Sequence, residues 1–134
     1  MKNEDRWIQR FQNLNKAMAR LDAACDRDKY SELEVAGLAQ TYEFTFELCW
    51  KTLKDKLKFE GYEVNSPREV FLKAAEMGLL SDHAAWLEAL ESRNIFGHTY
   101  DNEIAEQAIE LIKRKFAPML KACVARLNEL ALKA

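Results

Sequence analysis

The sequence predicts an all-α fold: an antiparallel four-helix bundle with one additional short helix, in a single domain spanning 1–134. Three observations carry that prediction. Only four glycines and two prolines interrupt 134 residues, too few for the frequent turns that a sheet protein needs. Apolar residues recur at steps of three and four over long stretches. Serine or aspartate before these stretches, and glycine after several of them, divide the chain into helices.

The first helix is expected from about Asp5 to Arg27, where Trp7, Phe11, Leu14, Met18, Leu21 and Cys25 form one apolar stripe on a charged rod. Ser31 and Glu34 have the spacing of a capping box and open a second helix that runs to about Glu60 and stops at Gly61. The middle of that helix, Tyr42 to Trp50, is apolar over a wide arc, so it is packed by several neighbours or faces a second subunit. Ser66, Pro67 and Glu69 open a short third helix ending at Gly78, with Pro67 at the first position, where its missing N–H does no harm. Ser81-Asp82 starts a fourth helix carrying Trp86, Leu87, Leu90 and Arg93 and ending before Gly97, with His83 as a surface residue of its first turn. A fifth begins near Asp101 or Asn102 and contains Pro118, which predicts a kink or a break there.

Composition excludes several functions. A formal net charge of −2 argues against non-specific duplex binding, so no DNA partner is expected, while a small local cationic site remains open. Cys25, Cys49 and Cys123 include no CxxC pair and suggest neither a zinc site nor a disulfide framework; they read as small buried thiols in a reducing cytoplasm. The N-terminal stretch is charged and no apolar run approaches ~18 residues, so neither secretion nor membrane spanning is indicated. Phosphate-loop, dinucleotide and zinc motifs are absent, and no cofactor or metal is expected.

The chemistry concentrates in Arg93-Asn94-Ile95-Phe96-Gly97-His98-Thr99-Tyr100, which contains one of only two histidines. A proton shuttle active near neutral pH beside a permanent planar cation suits phosphodiester cleavage without a metal. On an unbroken helix His98 would lie about 140° around the axis from Arg93. The expectation is that Gly97 takes the left-handed conformation and swings the chain back, placing His98 and Tyr100 near the N-terminus of the next helix, where free N–H groups favour anions. Against this, a histidine after a glycine often merely caps a helix, and Tyr100 alone reads as a core-edge aromatic. Glu43 and Glu47, one turn apart, are candidate partners for Arg93, but equally for lysines or for a dimer interface. Lys51, Lys54 and Lys58 share one helical face that could guide RNA, although a solvated face is the ordinary reading.

Three segments in order, Tyr42 to Lys54, Asn65 to Val70, and Trp86 to Asn94 continuing through His98-Thr99-Tyr100-Asp101, resemble the signature segments of the nucleotidyltransferase substrate-binding protein family. That family belongs to the HEPN superfamily and resembles the HepT toxins; the resemblance covers roughly residues 5–130. It implies a HEPN-like homodimer paired with a separate nucleotidyltransferase, the MntA-type antitoxin. It also implies a metal-independent ribonuclease site of pattern Arg-x4-His-x-Tyr at the dimer cleft, which maps onto Arg93, His98 and Tyr100, with Asn94 in support. AMP transfer from ATP to Tyr100 by the partner would silence the nuclease, since it places a phosphate charge two residues from His98. The older family name implies a different class, a non-catalytic subunit that helps the nucleotidyltransferase bind substrate.

Overall fold

In the computed structural model, which describes residues 3–133, the chain folds as α1 (Asn3–Cys25), α2 (Glu32–Phe59), α3 (Pro67–Glu76) and α4 (His83–Ser92). A 3-10 turn over Ile95–His98 then leads to α5 (Asn102–Leu111), which passes through a π turn (Ile112–Phe116) into α6 (Ala117–Lys133). No strand occurs among the described residues, as expected.

Local chemistry sets the element ends. The Ser31 hydroxyl accepts from the Glu34 N–H at 3.1 Å while Glu34 Oε1 accepts from the Ser31 N–H at 2.9 Å, a complete capping box. That backbone N–H holds the Glu34 carboxyl below its ordinary range, with help from Arg27. Ser66 caps α3 through its hydroxyl, but Glu69 returns to the Ser66 hydroxyl rather than to its N–H, so only half of the second box forms. Gly61 and Gly78 end α2 and α3 where expected, and both do so in the left-handed region, with φ of 96° and 74°.

The long helices pack in a register that can be read from their contacts. Arg27–Glu34, Thr45–Ala17, Arg10–Asp55 and Lys56–Trp7 climb one helix and descend the other, so α1 and α2 are antiparallel. Asn15 with Asn128 and Asp22 with Lys121 set α6 antiparallel to α1, whereas Tyr42 on Phe116 and Cys49 on Cys123 set α2 parallel to the α5–α6 rod. α2 is central, touching α1, α3, α5, α6 and the 3-10 turn, which accounts for its wide apolar arc. Thr45 and Thr52 are buried in it because each hydroxyl donates to the carbonyl one turn earlier, at 2.7 Å.

The core beside the 3-10 turn is aromatic. Tyr42 stacks on Phe116 at 5.8 Å and meets the edge of Phe96 at 5.6 Å; Phe46 packs on both Phe71 and Trp86, which touch each other at 5.1 Å. Burial pushes the Tyr42 hydroxyl far above its ordinary range, and it stays a neutral phenol.

Three expectations need correction. Of the kink or break expected at Pro118, the break does not occur: the preceding turn widens into a π turn, with the Ala117 N–H reaching Ile112 O, and the helix continues to Lys133. His83 is not a simple surface residue; it is half-buried, and its Nε2 is shielded with no hydrogen-bond partner among the described residues. Of the three cysteines expected as small buried thiols, Cys49 and Cys123 are buried as expected, with sulfurs 3.9 Å apart, and only Cys25 departs from the expectation. The Cys123 thiol and burial hold Cys49 well above its ordinary pKa, so it is a packed thiol rather than a nucleophile; Cys25 is only half-buried.

Candidate active site

Arg93 is the C-cap of α4, directly after the helix that lays Trp86 and Ala89 into the core. Its guanidinium crosses to α2, where Nη1 donates to Glu47 Oε1 at 3.0 Å, and both side chains are about two-fifths exposed. Glu47 uses its second oxygen as well: Oε2 accepts from Trp50 Nε1 at 2.8 Å. One carboxylate therefore orients the arginine and ties it to the next turn of α2. Of the two acids expected as partners for Arg93, the structure selects Glu47.

Arg93, Asn94, Glu43, Glu47, Tyr42 and Phe46 line a cleft of about 180 Å³ between α2 and the end of α4. Glu43 makes no ion pair among the described residues. Burial, and then the neighbouring Glu47 charge, raise its carboxyl above the ordinary range.

His98 and Tyr100 form a second, outer cluster. Both are exposed, Tyr100 at 82%, and their rings meet edge to face at 5.6 Å. His98 Nδ1 and the Tyr100 hydroxyl are 3.1 Å apart. In the tautomer with Nδ1–H donating to the tyrosine oxygen, Nε2 is free to take a proton. Tyr100 is thus not the core-edge aromatic that its isolated type suggests. Neither residue lines the cleft that contains Arg93.

The expected bend at Gly97 does not occur. Its φ is not left-handed; the chain stays right-handed from Arg93 through Thr99 as Ile95–His98 wind into a 3-10 turn. Tighter winding rotates His98 relative to an α-helical continuation, because each residue advances the chain by about 120° rather than 100°. Phe96, 2% exposed, pins this turn by packing against Tyr42 and Phe116. Nor does α5 offer open N–H groups to an anion: Asp101 Oδ1 accepts from the Glu103 and Ile104 amides at 2.9 and 3.3 Å and puts a carboxylate there.

Two contributors escape a reading of the sequence. Trp50 lies one turn beyond Glu47, a spacing that signals a side-chain pair, and Phe96 is the one aromatic residue of the turn's Ile-Phe-Gly-His run apart from the histidine.

The family model described as nucleotidyltransferase substrate binding protein like matches residues 9–129. The "Probable ribonuclease HepT" of Haemophilus influenzae is 32% identical over 76 residues, covering 53% of this chain and 52% of that protein, so the match spans about half the length of that relative. A crystal structure from Thermus thermophilus superposes with a TM-score of 0.77 at 31% identity, over 85% of this chain and 98% of the other. A Haemophilus influenzae structure, presented as the fold of a substrate binding domain of a nucleotidyltransferase, superposes with a TM-score of 0.76 at 25% identity, over 88% and 98% of the two chains.

Proposed function

This chain belongs to the nucleotidyltransferase substrate-binding-protein-like family, and from that premise we propose that it is a cytoplasmic, metal-independent endoribonuclease toxin. In this reading its antitoxin is a separate nucleotidyltransferase that silences it by AMPylation of Tyr100. The observation that carries the reading is the pairing of His98 Nδ1 with a freely exposed tyrosine hydroxyl at 3.1 Å, on the turn that leaves the Arg93 cleft.

RNA supplies its own nucleophile. His98 takes the proton of the 2′-hydroxyl through Nε2 while Tyr100 accepts from Nδ1–H and steadies the imidazolium that forms. The O2′–P bond forms and the P–O5′ bond breaks, leaving a 2′,3′-cyclic phosphate and a 5′-hydroxyl. Arg93 donates to the non-bridging oxygens as their charge grows, with Asn94 beside it. One imidazole cannot easily serve both the attack and the departure, so a two-fold dimer is part of the proposal, the second copy's histidine returning a proton to O5′.

Silencing follows from the same pair. The tyrosine oxygen gives its proton to solvent and forms a bond to the α-phosphorus of ATP, while the Pα–O bond to the β-phosphate breaks and pyrophosphate leaves. The resulting aryl ester oxygen is a poor acceptor for Nδ1–H, and its phosphate repels the RNA phosphate. A second reading, a non-catalytic subunit of the nucleotidyltransferase, is favoured by one observation: Glu47 already neutralises Arg93.

Purified protein incubated with RNA in EDTA separates the two. The nuclease reading expects cyclic-phosphate ends, with cleavage falling about 10²- to 10⁴-fold in His98→Ala and by no more than about tenfold in Tyr100→Phe. With ATP, magnesium and the neighbour-encoded nucleotidyltransferase, intact mass should rise by one AMP in wild type and not in Tyr100→Phe. Intact RNA with the wild-type protein, together with no growth arrest on expression, would leave the subunit reading.

A further inference from the structure

A second polar concavity, of about 280 Å³, opens between the N-terminal half of α1 and the C-terminal half of α2. It is lined by Arg6, Arg10, Trp50, Lys51, Lys54, Asp55 and Lys58. Five cations meet one carboxylate, on a chain whose overall formal charge is −2. The single acid is already engaged: Asp55, 8% exposed, lies 2.9 Å from Arg10 Nη1 across the two helices and fixes the floor of the groove. Lys51, Lys54 and Lys58 make no ion pair among the described residues, in contrast to Lys56, Lys73, Lys115 and Lys121.

The groove also holds an aromatic surface. Trp50 is half-buried, with Lys54 Nζ 5.8 Å from its ring centroid. Its indole N–H is fixed by Glu47, whose other oxygen holds Arg93. A continuous chain of contacts therefore runs from the Arg93 cleft through Glu47 and Trp50 into the cationic groove. Along α2 the distance from Glu47 to Lys58 is about 16 Å, roughly three turns of one helix face.

We propose that this groove binds a single-stranded RNA segment flanking the scissile phosphate, with a base stacked on Trp50 and successive phosphates on Lys51, Lys54, Lys58, Arg6 and Arg10. The proposal rests on the ribonuclease reading of Arg93 and His98 for its direction, because it extends the substrate away from that site. Spaced cations beside a partly accessible aromatic ring are the recognition chemistry of single strands, which offer bases that a duplex keeps stacked. A deep apolar pocket, which a small hydrophobic ligand would need, is not what these residues build.

The test uses the full-length chain carrying His98→Ala, a 5′-fluorescein RNA oligonucleotide of about 12 nucleotides with 2′-O-methyl groups to prevent cleavage, and anisotropy titrations across a range of salt. Lys54→Gln with Lys58→Gln should weaken binding at least tenfold and reduce the log–log salt slope by about 1.4, at roughly 0.7 per lost phosphate contact. Trp50→Leu should weaken binding about tenfold with an unchanged slope. Equal affinity and slope in the lysine double variant would overturn the proposal. It would also be overturned if ATP quenched Trp50 and displaced the RNA at equal phosphate concentration, the mark of a free-nucleotide site. A double variant that lost only its association with the nucleotidyltransferase would reassign the groove to that protein. Cleavage of unmodified RNA, assayed in parallel with His98 intact, keeps the two readings apart. RNA bound with the expected slope but never cut removes the nuclease and leaves the groove, whereas normal cutting by a double variant with unchanged binding removes the groove alone.

Discussion

Arg93 and His98 stand five residues apart and are held in opposite ways. The arginine is braced by another helix: Glu47 on α2 takes its guanidinium and is itself anchored by Trp50. The histidine has only Tyr100, two residues on, and both are open to solvent. Between them Phe96 reaches into the aromatic core. The half that would hold a phosphate is therefore preorganised by tertiary structure, and the half that would move protons is accessible. Accessibility is what a modifying enzyme needs, and rigidity is what charge stabilisation needs.

The contrast can be broken at its hinge. Phe96→Ala deletes the ring that pins the 3-10 turn, and we expect a loss of about 3–5 kcal/mol in denaturant unfolding, with activity falling even where the protein remains folded. An unchanged midpoint would mean that the turn is held by something other than Phe96. Glu47→Gln attacks the braced half alone. It removes the charge partner of Arg93 while keeping an acceptor for Trp50; under the proposed ribonuclease function, kcat should fall about tenfold with less than about 1 kcal/mol of lost stability. A rise in kcat would show that the carboxylate restrains the arginine instead of aiming it.

Gly97→Ala sharpens the account of the loose half. Apart from its chain neighbours and the turn's own backbone, no atom of the described residues lies within 4 Å of where its Cβ would stand, and its φ is not left-handed. Alanine should therefore be neutral or stabilising by about 0.4–1 kcal/mol through the unfolded chain, as read by thermal unfolding.

The smallest effect belongs to Glu43. Burial raises its carboxyl in the folded state, so its contribution to stability is fully present below the unfolded pKa and is lost as pH rises through the folded one. Glu43→Gln should thus stabilise by about 0.5 kcal/mol or less near neutral pH, since the site is solvent-screened. The gain should vanish below about pH 4, where both forms are neutral. A constant difference across that range would disconnect Glu43 from the titration.

What can be read from sequence is whatever local chemistry decides. Ser31, Ser66, Gly61, Gly78 and Asp101 act where their side chains or backbones reach only a few residues, and each ends or starts a helix as expected. Gly97 departs from expectation because its conformation is set from a distance: burial of Phe96 against Tyr42 and Phe116 draws the segment into a 3-10 turn. The Arg93–Glu47 choice, the Cys49–Cys123 contact and the α1–α2 groove all join residues far apart in the chain. Periodicity places such residues on faces but does not say which faces meet. Asp101 shows the converse: its place at the start of a helix is visible in the sequence, but occupying that end with a carboxylate is what closes it to an anion.

The wide turn at Ile112–Phe116 sets the register of everything after it. A π turn packs one residue more than an α turn into the same span, so Phe116 arrives further around the rod than an α turn would bring it. Deleting one residue between Leu111 and Phe116 should therefore cost the seat that lets Phe116 reach both Tyr42 and Phe96.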